Sequence, residues 1–477
     1  MLVHQLEVAG PFFIKFGQWA SSRVDILPPE VCEVLARLQT KVKPHSFHAT
    51  RTAIQAEFNI THLSDIFEEF DETPVGVGAV AQVHRAVLRP SRLPSSTTTS
   101  KTTPQSLEVA VKVLHPNVET LVQNDLLLLQ FFGRLISYLP TAQYLSIPEE
   151  LSTFANMMRA QLDLSLEARN LERFGQNFGE GGKGGGVEGV LFPRPVKPFV
   201  GGRVLVESFH RGLPLRMFIE KGPTVFDSRF ADMGVRAFVV CRANLTYDPF
   251  ESVEQFSKQQ MVMKDNLCHA DLHPGNIMVT LARPPSQRTF SQRAGSLLGG
   301  KQPAKEEGYV FVDEATLDNL RRAPTGAWNP ILERLAAAGY QPRLVIMDAG
   351  LVSTLSPTNL LNLQEAFKAG LEFDGARIAT LLMDRCKDPA AVVDPEGAKA
   401  LLQGIMDDLR MDEGGRLPIK KVATAQIVKR SAEMLRRHRI RLDGEYVGLF
   451  VASILVEGVG RKLDAELDLV EALAGVL

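Results

Sequence analysis

Cysteine is scarce in this chain of 477 residues: there are four, at positions 32, 241, 268 and 386, and no C-x-x-C pair. That spacing excludes a zinc ribbon or a thioredoxin-like redox site and fits a reducing compartment. An excess of either charge is also missing. Lys and Arg number 53 against 55 Asp and Glu, a net of −2, which argues against broad nucleic-acid binding and leaves room only for a local basic patch. No apolar run reaches the ~20 residues of a membrane span; the stretch from Leu126 to Leu139 is broken by Gln130 and Arg134. No repeat of solenoid period is found. The N-terminal MLVHQLEVAGPFFIKFGQ reads as a helix, with no basic and then apolar leader and no Arg/Ser-rich presequence. The chain is therefore expected to be cytosolic or to lack its original start. What is present is an ordinary globular composition, 45% hydrophobic and 23% charged, long enough for roughly two to four domains or one elaborated one.

Residues 91–106 are Ser/Thr/Pro-rich, 179–189 are glycine-rich, and 282–308 mix Pro, Gln, Ser, Gly and Lys. All three read as surface insertions. Between them lie patterned blocks. Val31, Val34, Leu35 and Leu38 recur at helical spacing behind Pro28-Pro29. Residues 80–88, 108–114, 203–209 and 343–348 read as strands, residues 149–176 as a helix, and the chain from Thr358 onward as mostly helical. Strands first and helices later predict an α+β fold with two lobes.

The strongest chemical signal is His269-Ala270-Asp271-Leu272-His273-Pro274-Gly275-Asn276, of the form H-x-D-x-x-x-x-N. This is the spacing of a protein-kinase catalytic loop, in which Asp271 would serve the acceptor hydroxyl and Asn276 would hold Mg2+. The plain alternative is a polar turn between a helix and a strand. Asp348-Ala349-Gly350 follows the apolar run LVIM, at the place of the kinase metal-binding D-F-G, with Ala349 where Phe stands. Asp348 and Asn276 would share the cation between phosphate oxygens; the alternative is a strand-ending turn. Lys112 lies in Val109-Ala110-Val111-Lys112, the kinase pattern for a lysine on the α- and β-phosphates, although a solvent-facing strand lysine reads the same way. Gly76-Val77-Gly78-Ala79-Val80-Ala81-Gln82-Val83 is close to G-x-G-x-x-G-x-V, with Ala81 for the last glycine. Its amides could cradle phosphate and Val83 could cap the base; a tight hairpin is the rival reading. Asp163, Glu167 and Asn170 share one helical face, and Glu167 is the proposed ion-pair partner of Lys112. A solvated polar stripe would look the same.

Together these residues resemble the UbiB family of atypical protein-kinase-like proteins, also called AarF-domain-containing kinases. The decisive addition is Lys15-Phe16-Gly17-Gln18 with the SSRVDILPPEVCEVLARLQTKVKP that follows, similar to the family's K-x-G-Q signature and the helix after it. The likeness runs from about Gly10 to the C-terminal GVGRKLDAEL. It implies a two-lobed protein-kinase-like fold with an N-terminal helical K-x-G-Q extension (1–60), an N-lobe with a helical insert (61–210), and a helical C-lobe (211–477) with a long insertion inside 282–342. It implies ATP or ADP binding with Mg2+, Lys15 and Gln18 near the nucleotide, and mitochondrial location. It further implies a role supporting coenzyme Q biosynthesis or lipid homeostasis, with membrane lipids or quinone-pathway proteins as partners and no nucleic acid. The sequence departs from the family in three places. Gly76 and Gly78 replace an alanine-rich loop. Gln161 stands for the Glu of E-x-D, so a tether to Lys15 keeps at most Asp163. Ala349 in Asp348-Ala349-Gly350 is similar to a divergent mitochondrial branch of animal and fungal members. Two other readings remain open: a small-molecule kinase of the aminoglycoside or choline type, whose H-G-D-x-H-x-x-N loop is close to this one, and a nucleotide-gated scaffold that transfers no phosphate.

Overall fold

Alternation along one strand explains much of the architecture. In Leu107–Leu114, Val109, Val111 and Val113 are fully buried on one face, which turns Ala110, Lys112 and Leu114 to the other. The computed structural model describes residues 2–21, 23, 27, 29–35, 38, 42–92, 107–138, 147–177, 188–240, 268–269, 274–284, 309–353, 356–386, 388–408 and 424–441. In chain order its elements begin with α1 (Leu2–Ala9), α2 (Pro11–Ser21), α3 (Pro29–Leu35) and α4 (Phe47–Phe58). Then come β1 (Phe67–Phe70), β2 (Gly76–Val77), β3 (Ala81–Leu88), β4 (Leu107–Leu114), α5 (Val118–Ser137), α6 (Ile147–Gln161) and α7 (Leu164–Asn177). β5 (Val190–Leu191), β6 (Pro195–Val200), β7 (Val204–Ser208), β8 (Leu213–Pro214), α8 (Leu215–Glu220) and α9 (Asp227–Val240) follow. After them lie β9 (Cys268–His269), β10 (Ile277–Arg283), β11 (Val310–Phe311), α10 (Glu314–Arg322), α11 (Thr325–Ala337), β12 (Gln341–Ile346) and β13 (Val352–Ser353). Four helices complete the described chain: α12 (Pro357–Leu371), α13 (Gly375–Asp384), α14 (Pro395–Asp407) and α15 (Thr424–Arg437).

The fold is α+β with two lobes, each built on its own sheet. The first is antiparallel, in the order β1-β3-β4-β7-β6 with β2 on β3. One face packs under α4 through Ile54, Phe67, Val109, Val111, Val204 and Val206. The opposite face packs on α6 and α7 through Leu114, Leu205, Phe154, Leu171 and Phe174, and this cluster also takes in Ile346 and Ala349. The second sheet runs β11-β10-β12-β5, with β8 on β10. Its core holds Leu213, Phe218, Phe230, Val279, Leu281, Trp328, Leu332 and Leu344. A separate cluster joins α13, α14 and α15.

Several expectations change. The N-terminal helix is two helices, because Gly10 takes φ 117° and Pro11 cannot continue α1. The helix read over 149–176 is also two: α6 stops at Gln161 and α7 starts at Leu164. The apolar run inside 126–139 lies mostly within α5, whose Val118, Val122 and Leu126 are buried; among the described residues no helix is long and apolar enough to cross a membrane. Val190–Leu191, inside 61–210, pairs with β12 of the second sheet. Ala282 and Arg283 end β10 rather than beginning a loop. Within 309–342 the chain forms β11, α10 and α11 and places Trp328 in the core. Residues 93–106, 178–187, 285–308 and the C-terminal GVGRKLDAEL lie outside the described residues.

Candidate phosphoryl-transfer site

β4 delivers Lys112 to the face shared with α7. The register sets Val83 of β3 and Leu205 of β7 on either side of it. On α7, Glu167 is almost fully buried and meets Lys112 with both carboxylate oxygens, Oε1 and Oε2 each 2.7 Å from Nζ. Asp348 Oδ2 lies 3.9 Å from the same Nζ. Residues 112, 167 and 348 therefore lie together at this face.

The turn that carries Asp348 is held by α7. Asn170 Nδ2 donates to the Ala349 carbonyl at 2.9 Å, the Ala349 amide donates to Glu167, and the Gly350 amide donates to Asp348 Oδ1 at 2.7 Å. Ala349 is fully buried in the cluster beneath α7. A Cβ at Gly350 would lie 3.1 Å from Asp348 Oδ1 and 3.8 Å from Glu167 Oε2, so a side chain there would crowd the Asp348 carboxylate and rest against that of Glu167. Asn276 comes to the same place from β10. Ile277 pairs with Ile346, and the Met347 amide donates to the Asn276 carbonyl at 2.9 Å. Asp348 stands two residues beyond β12 rather than at the strand's last position.

The electrostatics follow from burial and neighbours. Burial pulls the Lys112 ammonium down, but Asp348 and Glu167 more than offset it, and the lysine ends above its ordinary value. Burial pushes the Glu167 carboxyl up to about 7, with Asp348 adding to the rise while Lys112 and the Ala349 amide oppose it. Lys112 thus stays charged, as a phosphate-binding group must.

Other expected residues fall differently. Asp271 lies outside the described residues. Gly76 pairs with Val83 and the Gly78 amide donates to the Ala81 carbonyl at 2.8 Å, so residues 76–83 turn as a hairpin, with Ala81 buried and the amides of its tip, Ala79 and Val80, making no hydrogen bond among the described residues. Gln18 is turned into the extension, where its Nε2 donates to the Leu38 carbonyl at 3.2 Å. Gly17 lets α2 close on Leu38, which a Cβ would overlap. Lys15 is half-buried on α2, a helix that packs Phe12, Phe16 and Trp19 around Phe154 of α6. Gln161 Oε1 is buried without a hydrogen bond, so it accepts none from Lys15. Asp163 caps α7, its Oδ1 accepting from the Ser165 amide at 2.9 Å, and so leaves the Glu167–Asn170 face.

Glu207 was not anticipated. It sits opposite Ala110 on β7, only 3% exposed, and its Oε2 has no hydrogen bond. Burial, then the charge of Glu167, push its carboxyl well above the ordinary range. The available signal was a glutamate inside the apolar strand run VLVES.

Two family patterns match the chain: the ABC1 atypical kinase-like domain over residues 37–290 and the UbiB helical domain over 412–468. An ABC1 family protein of Schizosaccharomyces pombe, described as mitochondrial, is 31% identical over 98% of this chain and 63% of its own length. A mitochondrial ABC1 family protein of Saccharomyces cerevisiae is 30% identical over 100% of this chain and 67% of its own. The chain thus spans about two thirds of the length of these relatives. Among solved structures, the erythromycin complex of Rv3197 from Mycobacterium tuberculosis superposes with a TM-score of 0.52 at 17% identity, covering 96% of this chain and 89% of that one; it shares the fold.

Proposed function

Because the chain belongs to the ABC1 atypical kinase-like family, we propose that it binds ATP or ADP with Mg2+ between its lobes and acts as a phosphotransferase or ATPase. The observation that carries this reading is the bidentate Lys112–Glu167 pair with Asp348 beside it. Lys112 would hold the α- and β-phosphates, oriented by Glu167. Asp348 and Asn276 would hold the metal. They offer oxygen donors only, from adjoining strand ends, which suits Mg2+, an ion that keeps waters and phosphate oxygens as its remaining ligands. Bound there, Mg2+ would supply charge stabilisation at the transferring phosphoryl group. Asp271 would orient the acceptor hydroxyl or water. The chain's own contribution is position and fixed charge. By the same resemblance the protein works in mitochondria, in support of coenzyme Q biosynthesis or lipid homeostasis.

Titration calorimetry with ATP and ADP, with and without Mg2+, tests the assignment. Wild type is expected to bind Mg-nucleotide, and Asp348→Asn to lose at least ~10-fold in the Mg2+-dependent part, about 1.4 kcal/mol. Wild-type affinity in Asp348→Asn would show that the metal is held elsewhere. A product assay with Asp271→Ala then separates turnover from a scaffold that only binds nucleotide.

A further inference from the structure

The hairpin at residues 78–81 is fastened from behind by histidine. His115 follows Lys112 by three residues; its amide donates to the Val80 carbonyl at 2.9 Å, and its Nε2 lies 3.1 Å from the Gly78 carbonyl. His115 Nδ1 in turn lies 2.7 Å from Nδ1 of His45, the two rings standing perpendicular. His45 belongs to the segment leading into α4. Its amide donates to Gln82 Oε1 at 3.0 Å, and its Nε2 lies 3.0 Å from Thr50 Oγ1. Gln82 Nε2 reaches Thr50 Oγ1 at 3.1 Å and His84 Nε2 at 3.0 Å, and His84 Nδ1 ends the chain at the Asp71 carbonyl, 2.8 Å away.

Only one set of neutral tautomers satisfies these contacts. A carbonyl only accepts, so Nε2 of His115 carries its proton and Nδ1 is the acceptor. Nδ1 of His45 must then donate, and its Nε2 accepts from the Thr50 hydroxyl. At the far end, Nδ1 of His84 donates to Asp71, and its Nε2 accepts from Gln82. Gln82 and His84 are fully buried and alternate onto the face of β3 opposite Lys112 and Val83, beneath α4. They lie behind the sheet, so their effect on a ligand in the cleft must pass through the hairpin.

That effect is geometric. In a trans peptide the carbonyl of Gly78 and the amide of Ala79 point in opposite directions. A hook on the Gly78 carbonyl therefore aims the Ala79 N–H away from His115, and among the described residues neither the Ala79 nor the Val80 amide is engaged in a hydrogen bond. Such amides at a glycine turn are phosphate-oxygen donors. Resting on the nucleotide-binding reading above, we infer that His115, held in one tautomer by His45, is a positioning residue that fixes the Gly78–Ala79 peptide with its amide toward the nucleotide phosphates. Burial first, then the neighbouring imidazoles of His115 and His84, hold His45 down at about 4, in keeping with a neutral relay.

The test uses the full chain with Mg-ATP and, as a probe without phosphate, adenosine. His115→Ala is expected to weaken ATP about 10-fold, the loss of one hydrogen bond to a charged group, to raise the KM for ATP while kcat stays within about twofold, and to leave adenosine unchanged. His115→Gln, whose amide can still donate to Gly78, should recover most of the affinity. His45→Ala should show the same phosphate-selective loss more weakly, and should add little when combined with His115→Ala. This variant also carries the test if His115→Ala fails to fold. Unchanged ATP binding in His115→Ala, or equal losses for ATP and adenosine, would overturn the inference alone. Wild type that binds no nucleotide would overturn the functional reading and this inference with it.

Discussion

Glu207 and Lys112 show opposite fates for a charge carried into the interior. Lys112 has two carboxylates within reach, whereas Glu207 has a carboxylate oxygen with no partner. The lysine was legible because its strand alternates and its sequence neighbours repeat a kinase pattern. The glutamate was not, since its burial is set by β4 and α7, elements remote in sequence. A carboxyl raised by folding holds its proton to higher pH in the native state than in the unfolded chain. Its contribution is thus present below pH ~4.5 and lost as pH rises through the raised value. Glu207→Gln keeps the shape without the titration. Its Tm should exceed that of wild type by about 2–4 °C at pH 8, with the gap closing toward pH 5 in a calorimetric series.

At the scale of elements, α6 and α7 read as one helix because Leu151, Phe154, Met158 and Leu162 keep helical period up to the break. The interruption comes from tertiary contact: the Leu164 amide is claimed by the Gly202 carbonyl at 2.9 Å, and Asp163 caps the new helix. The same packing turns Asp163 to the start of α7 and leaves Glu167 and Asn170 facing Lys112 and the Ala349 carbonyl. Helix α6 is also gripped by the N-terminal extension, through a buried ion pair between Arg23 and Glu150. Glu150→Ala removes the carboxylate from this buried pair and should lower stability in urea unfolding. Among the C-terminal helices, a Cβ on Gly375 would overlap the backbone of Leu402 and Gln403. Gly375→Ala should therefore loosen α13 from α14 at roughly 1–3 kcal/mol, read as an earlier thermal transition.

Across the whole molecule, the two-lobed plan was visible in the order of strands and helices. The allotment of short strands was not, because β5 has two residues and its partner β12 lies far along the chain. The lobes are strapped at the connection by Arg211, which reaches Glu108 of the first sheet at 2.5 Å and Glu314 of α10 at 3.2 Å. Near that connection His210 is held neutral, lowered to about 4 by burial and then by Arg194 and Arg343. A histidine lowered by folding stabilises above its ordinary 6.5 and loses that contribution as pH falls from there toward 4. His210→Asn should flatten the acid limb of the stability–pH curve between pH 6.5 and 5 relative to wild type.

The chain has only two tryptophans, and they report on different neighbourhoods. Trp19 stacks against Phe16 and Phe154 where the extension meets the insert, and Trp328 is sealed in the second lobe beneath the Lys221 ammonium, 4.2 Å from its ring. Replacing either one with phenylalanine leaves a single tryptophan, so its emission and quenching can follow the melting of each half separately, without any attached dye.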